Sequence, residues 1–337
     1  MVGDASAQRA FAHYWHTLAS PAGSRLVYST GRSLESFLAL AAEAGPLLVK
    51  PHVLICAVGT KVYLPAVNGR GWREDSVWTA RLDQDWDEDK LRRIANGALL
   101  ERVGVSGAHL CADPSCAYTT DAVAAVGHSN AHWRPDNEQN AHKLTLGVKE
   151  GAYADVLAAN IAAAADEAGL LIKVITSGTG GWRYLDVVSS RAGKLESLEY
   201  VRSMLGFEAG ATVSAGDSGN DILLLSGPSH AVVVGNAQPD LALWAEAQLE
   251  EEEEGLIGSR VVEGQRSLGS GQGGSGQAGA GEAPEQEGGA VALLDAPEQT
   301  GEAAVAEGGG QRRRRLYRAQ ASHAWGILEG LQHFGCA

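Results

Sequence analysis

The sequence predicts an α/β protein: a doubly wound parallel sheet with a second α/β unit inserted into it. Three observations predict this. Short apolar runs alternate with amphipathic stretches over the first 60 residues or so, and the same alternation resumes after about residue 187. Between these two parts lies a stretch of different character. Parallel strands need long crossover connections, and a helix packed on the sheet is the usual one.

The elements follow in order. Residues 4–19 read as an amphipathic helix, with Ala7, Phe11, Trp15 and Leu18 at helical spacing and Pro21 and Gly23 beyond its end. Residues 26–30 are a short apolar strand running into Gly31. Ser33 is a helix cap, Leu34, Phe37, Leu38 and Ala41 share one face, and Gly45 ends the helix. Residues 52–58 form a second buried strand. The chain thus opens on a helix, whereas a crossover helix has a strand before it. Helices are expected near 88–100 and 154–167, and strands at 143–148, 171–176 and 184–188. The parallel pattern then returns: helix 193–205, strand 211–215, short helix 220–225, strand 230–234, and a helix opened by Pro239.

Residues 1–67, 187–249 and 311–337 therefore form one unit and 68–186 an inserted one. Residues 250–310 are low complexity, an acidic run followed by Gly, Ser, Ala, Gln and Glu, and are expected to stay unfolded. Residues 322–334 close the chain as an amphipathic helix. Arg312 to Arg315 read either as a partner site or as a solvated basic edge facing the acidic run.

Composition narrows the function. The chain has 337 residues, 45% of them hydrophobic, and a net charge of −14. That balance argues against a nucleic-acid backbone as partner, although glutamates 250–254 supply much of it locally. Four cysteines in so long a chain argue against a disulfide framework and for a reducing compartment. No apolar run has the length of a membrane span, and residues 1–10 lack a signal-peptide core.

Three motifs carry chemistry. Ser214-Ala215-Gly216-Asp217-Ser218-Gly219-Asn220-Asp221 follows an apolar strand and opens a helix. Ligands of open α/β sheets bind at the carboxyl ends of strands, so Asp217 stands where a Mg2+ ligand belongs, with Asn220 and Asp221 to orient it. The same residues also make an ordinary turn. Tyr28-Ser29-Thr30-Gly31-Arg32-Ser33 is again a strand end opening a helix. Its hydroxyls and backbone N–H groups suit phosphate, and Arg32 suits an oxyanion or sugar hydroxyl; plain capping by Ser33 is the competing reading. Lys194 starts a helix, where its charge opposes the dipole.

In this order the three motifs resemble the haloacid-dehalogenase-like (HAD) phosphatases, and within them the sucrose-phosphate phosphatases. Leu26 to Arg32, Ala57-Val58-Gly59-Thr60-Lys61-Val62-Tyr63, Gly216 to Asp221, Gly235-Asn236-Ala237-Gln238-Pro239 and Tyr317 to Ala324 all look like that branch. The resemblance implies a Rossmann-like core, a mobile α/β cap, and Mg2+-dependent hydrolysis of sucrose 6-phosphate through an aspartyl-phosphate. It gives Thr30 and Lys194 to phosphate and Asp217, Asn220 and Asp221 to the metal. Sugar contacts would come from Ser29, Gly31 and Arg32, and from Gln139, Asn140, Lys143 and Asp186 of the cap. It also implies the cytosol of a photosynthetic cell and a complex with the sucrose-phosphate synthase, for which no feature of the sequence marks a surface.

One part of the pattern is missing. The family's first strand ends in Asp-x-Asp-x-Thr and supplies the nucleophile; here Met1-Val2-Gly3-Asp4 looks like the residues that follow it. Asp4 precedes a helix with no strand to aim it. The expectation is a sheet lacking a central strand, either because the sequence starts at an internal methionine or because the chain is an inactive sugar-phosphate-binding homologue. A reading of another class is a zinc site at Cys111, Cys116, His128 and His132, within one residue of finger spacing but without a lysine or arginine between Cys111 and His132.

Overall fold

Runs such as Val53–Cys56, apolar at every position, can be buried on both faces only inside a layered α/β sheet. The computed structural model describes residues 4–67, 69–102, 131–149, 151–178, 181–261, 289–294 and 316–336. Asp4 caps α1 (Ala5–Tyr14), which continues through a π-turn to Ala19. Then come β1 (Arg25–Thr30), α2 (Leu34–Ala44) capped by Ser33, β2 (Val53–Cys56), β3 (Lys61–Pro65), β4 (Trp72–Glu74) and α3 (Ser76–Leu82). The inserted unit holds α4 (Glu88–Arg102), β5 (Ala131–Trp133), β6 (Lys143–Lys149), α5 (Gly151–Glu167), β7 (Ile172–Ser177) and β8 (Trp182–Ser189). The chain returns through α6 (Lys194–Leu205), β9 (Thr212–Gly216), α7 (Ile222–Leu225), β10 (His230–Val233), α8 (Pro239–Val261), β11 (Gly289–Leu294), β12 (Leu316–Arg318) and α9 (His323–His333).

The large sheet runs β12-β10-β9-β11-β1-β2-β3-β4. Strand alternation splits its residues between two faces. Leu26 and Tyr28 of β1, with Val213 and Ala215 of β9, pack under α1, α2 and α9. Val27, Val53 and Ile55 pack on the opposite side against α3 and α6, through Trp78, Leu82, Leu198 and Val201. The small sheet, β5-β6-β8-β7, is antiparallel. Leu144, Leu146, Leu185 and Val187 face α4 and α5, leaving Lys143, Thr145 and Asp186 on the other face.

Two expectations are corrected here. The central slot does not stand empty. β11 fills it, antiparallel to both β1 and β9, with Val291 paired to Tyr28 on one side and to Ala215 on the other. β11 and the last turns of α8 both come from the segment read as unfolded low complexity. Averaging composition over that segment hid one apolar run, Gly289–Leu294, and unpaired strand edges in a sheet centre are costly enough to recruit it. The glutamate run continues α8 because glutamate is a good helix former. Secondly, β4 and α3, read as part of the inserted unit, extend the large sheet: β4 pairs with β3, and Trp78 and Leu82 pack with Val62.

Of the zinc reading, Cys111, Cys116 and His128 lie outside the described residues, as do Arg312 to Arg315; His132 is in β5. Among the described residues no helix is long and apolar enough to cross a membrane. Cys56 is buried, and burial pushes its thiol up to about 12.

Candidate phosphate and sugar site

The carboxyl ends of β1 and β9 and the start of α6 converge at one edge of the large sheet. The loop after β9 folds on itself: Asp221 Oδ2 accepts from the backbone N–H of Asp217 (3.1 Å) and of Ser218 (3.2 Å). That closure needs glycine at 216, where a Cβ would sit 2.6 Å from the Cβ of Asp221. Lys194 reaches the loop from α6 and is almost wholly buried. Its Nζ donates to Asn220 Oδ1 (2.6 Å) and Asp221 Oδ1 (2.5 Å). An ammonium has three donors, so one remains for a ligand.

Asp217 is the unsatisfied member. Its Oδ1 is buried and has no hydrogen-bond partner among the described residues, and its pKa is pushed up to about 6, by burial first and by the neighbouring Asp221 second. A carboxylate held there without a partner suits a hard cation. Asn220 and Asp221, expected as further ligands, give their oxygens to Lys194, to Ser218 and to backbone N–H groups, so in this arrangement they support rather than offer free donors. Among the described residues no group of three or more His, Cys, Asp or Glu could hold a metal by itself. Water and a bound phosphate would have to complete the shell, as they commonly do for Mg2+.

Thr30 ends β1 at the same edge and is buried; its Oγ1 accepts from Arg32 N–H (3.2 Å), leaving its proton free to donate. Ser29 is buried, and its hydroxyl has no partner among the described residues. A Cβ at Gly31 would lie 3.8 Å from Asn220 Nδ2, so Gly31 adjoins the Asp217 loop. On its other side Gly31 opens into a cleft of about 280 Å³ between the sheet edge and the cap.

The structure brings five of the expected sugar-binding residues to this cleft: Gly31, Arg32, Gln139, Asn140 and Lys143. Ser29 and Asp186 do not line it. Asp186 acts behind it, accepting from Lys143 Nζ (3.2 Å) and Thr145 Oγ1 (2.7 Å). Gln139 has its amide committed: Nε2 donates to the carbonyls of Arg134 and Thr145, and Oε1 accepts from Thr145 N–H. Arg32 hydrogen-bonds Ser36 Oγ (3.1 Å) and has no carboxylate beside it among the described residues, unlike Lys61 with Glu74 and Arg134 with Glu138. Lys61, Tyr63 and Arg134 line the cleft and were not singled out by sequence. The polar stretch 134–140 was a usable signal for Arg134; Lys61 and Tyr63 stood inside a matched motif without a role.

The family described as sucrose-6F-phosphate phosphohydrolase matches the chain over residues 1–99 and 120–261. Sucrose-phosphatase 1 of Nicotiana tabacum is 29% identical over 228 residues, which is 66% of this chain and 44% of that protein. The mannosylfructose-phosphate phosphatase of Agrobacterium fabrum is 27% identical over 250 residues, 73% of this chain and 83% of the relative. The solved sucrose-phosphatase of Synechocystis, in complex with sucrose and phosphate, superposes with a TM-score of 0.60 at 24% identity, covering 99% of this chain and 93% of that one. That likeness establishes the fold, a Rossmann-like core with a cap. The chain spans under half the length of the plant relatives it matches.

Proposed function

Because the chain belongs to the sucrose-6F-phosphate phosphohydrolase family, we propose that the whole protein hydrolyses sucrose 6-phosphate to sucrose and phosphate. The observation that carries this reading is the junction at Gly31. On one side lie Lys194 with a spare donor and Asp217 with a free buried oxygen; on the other lies a cleft lined by Arg32, Asn140 and Lys143. A sugar phosphate has the two parts that such a junction would hold.

The chain's residues divide the work. Thr30 and Lys194 donate to the phosphate oxygens, and Lys194 neutralises charge there as it does on Asp221. Asp217 would hold Mg2+, with Asn220 and Asp221 fixing its loop. When bound, the ion supplies charge neutralisation on the phosphoryl group. Arg32 and Lys143 hold sugar hydroxyls, and Asp186 keeps Lys143 in place. The attacking aspartate implied by the resemblance is not among the described residues around Lys194, so these supply binding, charge and orientation.

The test is phosphate release from sucrose 6-phosphate with Mg2+. Lys194→Ala is expected to lower kcat/KM by roughly 100-fold or more. Saturable binding of sucrose 6-phosphate with no phosphate release would replace this reading with a sugar-phosphate-binding one. Release that ignores Lys194 would sink it.

A further inference from the structure

Ala57, Val58 and Gly59 are consecutive residues with positive φ, 50°, 57° and 86°, in the turn between β2 and β3. Left-handed backbone is unfavourable for a β-branched side chain such as Val58. Such strain persists only where the surroundings over-determine it, and it clusters at functional sites. Here the surroundings can be named. Ala57 N–H donates to the carbonyl of Arg32 (2.9 Å), and Trp78 Nε1 donates to the carbonyl of Gly59 (3.1 Å). Gly59 lies flat against the start of α6: a Cβ there would be 2.1 Å from the Gly193 carbonyl oxygen and 2.8 Å from Lys194 N. One strained turn thus touches both the Arg32 loop and the peptide that sets the base of Lys194.

The same turn has a contact to the cap. Thr60 follows Gly59 and is fully buried. Its Oγ1 donates to the Ala57 carbonyl (2.8 Å) and accepts from Asn140 Nδ2 (3.1 Å). Asn140 is held in turn, its Oδ1 accepting from His142 N–H (2.9 Å). Its backbone pairs with Lys143 across a tight turn.

We infer that Thr60 is a positioning residue that latches the cap onto the catalytic edge of the core. Its hydroxyl relays the position of Asn140 to the strained turn, and the turn carries it to Arg32 and to Lys194. Asn140 is then a bridge between the two units as well as part of the cleft wall. The nature of the ligand that closes the cap rests on the sugar-phosphate reading above; the latch is present without any ligand.

Hydrogen–deuterium exchange on the ligand-free full chain tests it. Thr60→Val keeps the shape and removes the hydroxyl, and Thr60→Ser keeps the hydroxyl. Thr60→Val is expected to speed exchange about five- to tenfold in residues 57–60 and 138–143, with 185–188 unchanged. Thr60→Ser is expected to behave as wild type. Asn140→Ala, a half-buried cap side chain, is expected to give the same acceleration in 57–60 and serves if Thr60→Val does not fold. Wild-type exchange in both segments of the folded valine or alanine variant overturns the inference, and so does equal acceleration by Thr60→Ser. Calorimetric titrations with sucrose 6-phosphate and with inorganic phosphate separate this from the function. Loss of the latch weakens the sugar phosphate by a similar factor and phosphate, which reaches Lys194 but not Asn140, by less; equal weakening of both speaks against a latch. A wild-type chain that binds neither sinks the sugar-phosphate reading, while the exchange data still decide the latch.

Discussion

Replacing Asp217 by asparagine is expected to make the metal-free protein more stable, although it removes the group best placed to bind a cation. Burial and the nearby Asp221 raise the pKa of Asp217 from 3.8 to about 6. An acid whose folded pKa lies above its unfolded value opposes folding once it ionises. The penalty is absent below about 4, grows between 3.8 and about 6, and is complete above 6. Roughly two pKa units correspond to about 3 kcal/mol. Asp217 is partly exposed, so about 1–2 kcal/mol is the fairer expectation. For a chain of this size that is about 1.5–3 °C in Tm. Thermal melts in EDTA at pH 4 and pH 8 measure it. Asp217→Asn should melt higher than wild type at pH 8 and equally at pH 4. Added Mg2+ should raise wild type and leave the variant unmoved. A variant that melts lower than wild type at pH 8, or that gains as much at pH 4, refutes the reasoning, because then the carboxylate is not the strained group.

Other changes should act through neighbouring contacts. Lys194→Met strands the wholly buried Asp221 carboxylate and should cost about 3–5 kcal/mol in urea denaturation, while abolishing any protection by phosphate. Gly59→Ala forces a Cβ against the Gly193 carbonyl in left-handed backbone; about 2 kcal/mol or more should be lost, with a fall in kcat visible in the phosphate-release assay. His52 Nδ1 accepts the N–H of Leu26, and burial followed by the charge of Arg25 lowers its pKa below 6.5. Its contribution to stability is full above pH 6.5 and fades as pH falls towards the folded pKa, and His52→Ala should flatten that part of the pH–stability curve. Val291→Pro removes a backbone donor from the sheet centre and should cost about 1–3 kcal/mol in the same denaturation assay.

The core was legible where periodicity and caps agreed. Ser33, Gly45 and Pro239 stand at the helix ends that they mark in the sequence, and the apolar runs at 53–56 and 230–233 are central strands. The loop from Gly216 to Asp221 and the buried Lys194 meet as the motif order implied. What the sequence hid depends on tertiary competition. Nothing in six apolar residues after a glutamate-rich tract says that two open strand edges await them. Which polar residues of the cleft keep a free group is likewise decided by neighbours: Gln139 spends its amide on the backbone of 134 and 145, and Arg32 finds no carboxylate among the described residues. Lys61 and Arg134 stood in stretches the sequence marked, but a charged residue declares its partner only in three dimensions.

The two units also differ in how their sequence is distributed. The small sheet and its two helices come from one continuous stretch of chain with an apolar cluster of its own, so its contacts lie within about 100 consecutive residues. The large sheet is assembled from both ends: β1 lies beside β11, and β9 and β10 lie between β11 and β12. On a ribosome the cap can therefore fold as soon as it emerges, while β1 waits for a neighbour made more than 200 positions later. Until then the edge of β1 that carries Thr30 is an open template, and the slow step of folding should be the arrival of its last neighbour rather than the formation of any helix.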